Sequence, residues 1–313
     1  MKVKKVEVIT VTCNETDEIL NYVNSLESQN ELIRLWIIDN NSKNEETRKI
    51  LKEISKKYQW VKIIYSEENL GLAGGNNVPI SFLEYEYTAI VNPDTIIPSD
   101  CFSKLIKKIE LDNNIVAVAP VNLYENSIPH SSYHLHWNIL HVLMARIMPG
   151  IITGFIYNKL LRNFDNDIDV LFASGSFLLT RTSIYRAING YDVNYFLTVE
   201  DVCDLCIRLR EGVKTKRIIV TPDTKIIHLG ARSTVGNRFI AQWGAYKGHI
   251  YHFKKHHGII SSLIVVLISF TAIFVRLIIN LLLSFRSENR KKAIMYIALM
   301  KYLILKNPIY SSK

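Results

Sequence analysis

The run Tyr87–Val91 followed by Asn92-Pro93-Asp94, YTAIVNPD, limits what the chain around it can become. A short, unbroken apolar run that ends on a carboxylate is the pattern of a buried parallel strand. Pro93 has no amide hydrogen, so ladder pairing stops there and the chain turns. Asp94 is then held at the carboxyl edge of a sheet, where open α/β folds seat their ligands. A hard oxygen ligand in that place suits Mg²⁺ or Mn²⁺ carrying a diphosphate. Read alone, the tripeptide is an ordinary Asx turn; the surrounding sequence decides between the two.

The residues before it repeat the same grammar. Val6–Thr12 reads as a strand, followed by a helix from Asp17 to Ser28. Ile33–Ile38 is a second apolar run, ending in Asp39-Asn40-Asn41-Ser42, and a helix over Glu45–Lys57 leads to a third strand at Val61–Tyr65. Strands alternating with helices of this length predict βαβ units and a parallel sheet covered on both faces. In such a sheet the polar tips Thr12, Asn14, Asp39 and Asp94 share one edge and form one site. That predicts a nucleotide pocket in which Asp39 accepts hydrogen bonds from a base or ribose, although DNNS is also good helix-capping chemistry. Asn69–Asn77, NLGLAGGNN, matches neither the dinucleotide fingerprint nor a P-loop. It predicts a loop that lets backbone pass close to a ligand, with Asn69, Gly71 and Asn77 as candidate contacts.

Ile115–Val121 is a further strand. Between Asn122 and Asp169 the pattern loosens into an insert expected to face the acceptor, with His130, His134, His136 and His141 at no convincing metal spacing. Order returns at Phe172–Leu179, a strand containing Ser174-Gly175-Ser176, and then at a short helix over Arg181–Ile188. From Glu200 to Glu211, Val202, Leu205, Cys206 and Leu209 recur at helical spacing, so one face is core and Asp201 is expected to point away from it. Glu200 and Asp201 fall in the first turn, where acids complement the helix dipole or serve as a general base at a cleft. Cys203 and Cys206 lack a second cysteine pair to complete a zinc site and read as helix residues.

In their order and spacing, VITVTCN, LWIIDNNS, NLGLAGGNN, VNPDT, SGSFLLTR, NGYD, the FLTVED…DLCIRLR helix and IIHLGARST resemble the family 2 inverting glycosyltransferases, in particular the rhamnosyltransferase-like branch. The resemblance runs from about Lys5 to Thr234, about three quarters of the chain. It implies a GT-A fold, α/β with a mostly parallel Rossmann-like sheet, and transfer of a sugar, with rhamnose the branch's suggestion, from a nucleoside diphosphate donor with inversion. It further implies that Asp39 contacts the base, that Asp94 ligates Mg²⁺ or Mn²⁺ with His228 near the diphosphate, and that an acid of the VED segment is the base. Asn92 stands where the metal motif often has its first acid, and is carried over as a donor contact. EDVCDLC is one residue longer than the usual EDVDLC, which leaves its register open: aligned from the left the base is Asp201, with Glu200 and Asp204 as alternates.

The remaining quarter differs in kind. Arg238–His257 mixes aromatic and basic residues, as a membrane interface requires, and Ile259–Val275 then carries no charge over 17 residues. Ser262, Ser269, Arg276, Asn280 and Ser284 line one helical stripe, and both flanks are basic. The expectation is a catalytic domain over 1–237 and a membrane-association region over 238–313. That region would form a monotopic, in-plane or hairpin anchor rather than a span, or else a helix pair completing a homodimer. The net charge of +9 points to an anionic partner, a sugar nucleotide or an anionic membrane surface rather than nucleic acid, since the bases cluster beside these apolar segments. Four cysteines give no disulfide framework, and the N-terminus is too short and β-branched for a signal peptide. The expected place is the cytoplasmic face of the cell membrane, with a glycan or lipid-linked acceptor. The rival expectation is a non-catalytic sugar-nucleotide-binding or scaffold protein that retains the fold.

Overall fold

The computed structural model describes residues 4–129, 133–135, 137–147, 165–195, 200–211, 216–230 and 238–304. These fall into two units, one within residues 1–135 and 157–233, the other within 136–156 and 234–313. His130, His136, the Phe196–Val199 part of the FLTVED motif and Gly212, expected to cap the end of the Glu200–Glu211 helix, lie outside the described residues.

In the first unit the alternation is realised as β1 (Val6–Thr12), α1 (Asp17–Leu26), β2 (Ile33–Asp39), α2 (Glu45–Lys57), β3 (Val61–Tyr65), α3 (Gly71–Asn77) and β4 (Tyr87–Val91). There follow β5 (Thr95–Ile96), α4 (Cys101–Glu110), β6 (Ile115–Leu123), β7 (Tyr133–His134), β8 (Ile168–Asp169), β9 (Phe172–Ala173) and β10 (Phe177–Arg181). The unit closes with α6 (Thr182–Ala187), α7 (Glu200–Leu209) and β11 (Arg217–His228); α5 (Ile139–Ile147) belongs to the second unit. The sheet order is β3-β2-β1-β4-β10-β6-β11-β5, with β8 paired to β11. The first four strands are parallel, with Thr12 opposite Asp39, so these tips are level.

Beyond β4 the sheet changes direction. The expected single strand Phe172–Leu179 is divided, because residues 174–176 turn, with Ser176 Oγ bonded to Ser174 Oγ at 3.1 Å and Asn122 Nδ2 donating to Ser176 Oγ at 2.7 Å. β10 then runs antiparallel to β4, Phe177 opposite Val91 and Arg181 opposite Tyr87. The 174–176 turn therefore enters a strand at the same edge where β1, β2 and β4 leave theirs.

Alternation along β1 shows how both faces are filled. Val6 and Val8 pack in one core with Ile19, Tyr22 and Leu26 of α1, Leu51 and Ile54 of α2, and Phe102 and Leu105 of α4. On the opposite face lie Glu7 and Val11. Glu7 is buried, but its carboxylate accepts from the Glu84 and Tyr85 amides at 2.9 and 3.1 Å and from Trp36 Nε1 at 2.8 Å. Those bonds satisfy the group and make it a structural carboxylate. Val11 explains the glycines of NLGLAGGNN. Most of that stretch is helix α3 rather than a loop, and a Cβ on Gly75 would meet both γ-carbons of Val11 at 2.8 and 2.9 Å. The glycine lets helix and strand approach, so Gly75→Ala is expected to cost about 1–3 kcal/mol by overpacking, read as a lowered denaturant midpoint at unchanged slope.

The second unit is α5, α8 (Arg238–Leu282) and α9 (Ser287–Ile304). α8 is two helices, broken at Gly258 with φ 82° and ψ 173°. The arms fold back on each other: Ser262 Oγ donates to Ile250 O at 3.1 Å, Arg276 Nη1 reaches Tyr246 Oη at 3.4 Å, and Trp243 clusters with Ile273. Val142 of α5 packs with Phe253 and Val265, and Arg276 Nη2 donates to Arg146 O at 2.8 Å. The stripe noted in the sequence therefore turns toward the first arm, with Ser262 and Ser269 buried, while Ile260, Leu263, Leu267, Val275 and Leu282 on the second arm are exposed.

Candidate active site

The edge where β1, β2 and β4 end is built by short polar side chains that tie one loop to the next. Asp39 is buried, and its Oδ1 accepts from the Ser42 amide at 3.0 Å. The helix-capping role belongs instead to Asn44, whose side chain accepts from the Glu46 amide at 2.9 Å. Asn14, with φ 70°, receives the Lys43 and Asn44 amides on its Oδ1 at 2.7 and 3.0 Å, fastening the end of β1 to the start of α2. Asn40 fastens β2 to α3: its Nδ2 donates to Asn69 Oδ1 and Gly71 O at 2.9 and 3.1 Å, and its Oδ1 accepts from Leu70 N at 2.8 Å. Asn69 Oδ1 also accepts from Gly71 N at 2.9 Å, and Gly71 has φ 71°, a conformation that favours glycine.

Thr12 at the tip of β1 donates to Glu15 Oε2 at 2.7 Å, and the Cys13 amide donates to the same oxygen. Burial raises the Glu15 carboxyl above its ordinary range, opposed by those two bonds, with the charge of Asp94 adding to the rise. Burial also pushes the Cys13 thiol up to about 11, with Glu15 and Asp39 next in effect. Three carboxylates thus crowd one sheet edge, a concentration of negative charge that a cation would relieve.

Asp94 is placed by β5. Thr95 pairs with His228 on β11, and the Leu229 amide donates to Asp94 O at 2.9 Å. This brings His228 Nε2 to 3.3 Å from Asp94 Oδ1, with both side chains mostly buried. Among the described residues no group of three or more His, Cys, Asp or Glu side chains is gathered for a metal. Two protein donors fit Mg²⁺ or Mn²⁺ bound chiefly through substrate phosphates and water. Asn92 is held through its backbone, its amide donating to Ser176 O at 2.9 Å.

The same turn leads to the acids of α7. Gly175 lies beside Val202 in the first turn of that helix. Glu200, Asp201 and Asp204 are all buried, so Asp201 does not stand on an open helix face, as the apolar spacing implied; both sides of the helix start are covered. Asp201 Oδ1 accepts from the Val202 amide at 2.5 Å. Asp204 has a different employment: its Oδ2 takes Arg208 Nε at 2.7 Å, and Arg208 Nη1 also donates to Ile188 O and Gly190 O at 3.0 and 2.7 Å. Asn77 completes the frame, since its Nδ2 donates to Tyr191 O and its Oδ1 accepts from Tyr191 N, both at 2.8 Å. Both amide atoms of Asn77 thus hold the 189–192 turn. Glu15, Asn40, Ser176 and Arg208 were not singled out in the sequence. Asn40 lay hidden within a plausible capping run, Glu15 bonds back to the tip of the strand before it, and Ser176 and Arg208 join elements distant in sequence.

This arrangement is the GT-A glycosyltransferase fold. Pyrobaculum calidifontis mannosyltransferase PcManGT superposes with a TM-score of 0.56 at 14% identity, over 99% of this chain and 88% of that one. GalNAc-T7 gives 0.56 at 14% identity over 72% of this chain, and S. aureus TarS gives 0.52 at 15% over 79%. The chain spans 43% of the GalNAc-T7 chain and 39% of TarS. Residues 7–188, more than half of the sequence, match the family described as Glycosyl transferase family 2, and the chain belongs to that family. It is also 26% identical over 211 residues to rhamnosyltransferase WbbL of Escherichia coli (strain K12), covering 65% of this chain and 76% of WbbL.

Proposed function

We propose that this glycosyltransferase moves a sugar from a nucleoside diphosphate donor to a hydroxyl of a glycan or lipid-linked acceptor, with inversion and with a divalent cation. The observation that carries the reading is the Asp94–His228 pair, 3.3 Å apart, at the acid-crowded edge of the sheet. Two structural neighbours support it: GalNAc-T7 is described with UDP, GalNAc and Mn²⁺, and PcManGT with GDP-Man and Mn²⁺. The likeness to WbbL favours rhamnose as the sugar. Asp94 and His228 would hold the cation, whose charge, when bound, offsets that of the diphosphate leaving group. Asp39 would receive base or ribose hydrogen bonds beside Thr12, and Asp201 would take the proton from the acceptor hydroxyl. A single free carboxylate suffices for inversion, so no covalent nucleophile is needed.

Asp94→Ala is expected to abolish Mn²⁺-dependent binding of a nucleoside diphosphate, by titration calorimetry, with an unchanged far-ultraviolet dichroism spectrum. Metal-dependent affinity equal to that of the parent would remove Asp94 from the ligand set.

The second unit supports residence at a membrane surface. One helix run, Gln242–Leu282, is long and apolar enough to cross a bilayer, yet its second arm keeps Arg276 and Ser262 bonded to the first arm, with Ser269 buried. Spanning would draw Lys254, Lys255 and the histidines of the first arm into hydrocarbon, at considerable cost. A monotopic seat buries only the exposed apolar face. The four free cysteines favour a reducing compartment, consistent with the cytoplasmic face.

A further inference from the structure

The apolar arm of α8 ends at a turn, and the charge at that turn has one sign. Between Phe285 and Ala293 the chain carries Arg286, Arg290, Lys291 and Lys292 against one acid, Glu288. The start of α9 folds back toward the first arm of α8 and leaves a cavity of about 260 Å³ lined by Gln242, Glu288, Lys291, Lys292, Met295 and Tyr296. Gln242 Oε1 is buried there without a hydrogen-bond partner among the described residues, so its amide is not fully used. Lys292 lies 3.7 Å from Glu288, a loose, exposed pair that leaves most of the cationic charge uncompensated. In sequence the turn is flanked by exposed apolar groups, Leu282 and Phe285 before it and Ile294 and Ile297 on α9. Bases set at the end of an apolar face lie at headgroup depth when that face is buried in acyl chains.

We propose that this basic turn is a seat for the phosphate-bearing headgroups of anionic phospholipids, so that the protein selects anionic over zwitterionic membranes. The inference rests on the membrane reading above and adds to it a lipid chemistry and the residues that recognise it. Lys291 and Lys292 supply cationic N–H donors to the cavity, and Glu288 opposes the anion. Met295 and Tyr296, which pack in the cluster around Trp243 and Ile273, form the apolar wall of the cavity. Apolar burial and electrostatic attraction then act as two separate signals, and neither alone is strong.

The test is flotation of the full chain with vesicles of phosphatidylcholine alone and with vesicles containing about one third phosphatidylglycerol. Each base near such a surface contributes roughly fivefold, so the parent is expected to favour the anionic vesicles by about a hundredfold, and less at higher salt. The variant Arg290→Ala/Lys291→Ala/Lys292→Ala is expected to bind both vesicle types equally, at the parent's level on phosphatidylcholine, with an unchanged dichroism spectrum. Equal binding of the parent to both types, or a variant that keeps its preference, overturns the headgroup seat while leaving the membrane reading in place. No binding of the parent to either type overturns both.

Discussion

Asp201→Asn is expected to lower turnover by about 10² to 10⁴ while leaving donor affinity nearly unchanged, since the amide keeps shape and hydrogen bonding but accepts no proton. The structure sharpens the expectation by separating the three acids of α7. Asp204 is bonded to Arg208 and through it to the 188–190 turn, so its loss should appear in stability before chemistry. Glu200 and Asp201 share the first turn, beside the 174–176 loop that holds Asn92. Steady-state kinetics on Asp201→Asn, Glu200→Gln and Asp204→Asn, with nucleotide binding measured in parallel, decide the matter. A nearly active Asp201→Asn beside a dead Glu200→Gln would move the base by one residue. Full activity in all three would return the protein to the class of sugar-nucleotide binders.

The largest effect on stability is expected at Arg208. Removing its guanidinium leaves the fully buried Asp204 carboxylate without its cation, and breaking one side of such a pair costs about 3–5 kcal/mol. Two carbonyls of the 188–190 turn lose their donor as well. Arg208→Met should therefore shift the urea midpoint far down, while Asp204→Leu/Arg208→Met, which removes both charges, should recover part of the loss. A double variant as unstable as the sum of the two singles would mean that the pair itself contributes little.

Much of the first unit was legible because its elements are local. β1, α2 and β3 were bounded at the residue from composition and capping alone, and the strand ending at Asp94 from one apolar run and one proline. Parallel strands that end in polar residues must bring those residues to one edge, so Thr12, Asp39 and Asp94 could be grouped before any coordinates. What sequence did not reveal was pairing between distant pieces. Nothing local marks β10 as antiparallel, because an apolar run has no direction until its partner is known. The glycines of NLGLAGGNN suggested closeness to a ligand, but closeness to Val11 leaves the same trace. Helical spacing placed Asp201 opposite the core, yet the fold buries it all the same. The polar stripe of the C-terminal arm was visible, but the fold-back at Gly258 that turns it inward was not.

The reversed strand has a consequence for how such a protein can be inherited. Thr12, Asn14, Asp39, Asn69 and Asp94 come from one uninterrupted stretch, and of the assigned ligands only His228 returns from the far end of the unit. The turn at 174–176 and the acids of α7 all come later, on chain that reaches the edge from the opposite direction. The two sets are joined by the ladder of β10 on β4, Phe177 against Val91 through Arg181 against Tyr87, and by the two bonds of Asn77 to Tyr191. A lineage, or a designer of chimeras, can exchange the later set as a block and keep the earlier one, provided that this ladder keeps its register and β11 still delivers a histidine. The seam between the halves is a strand pair, and strand pairs between unrelated sequences are among the easiest junctions to re-form, since backbone makes the bonds.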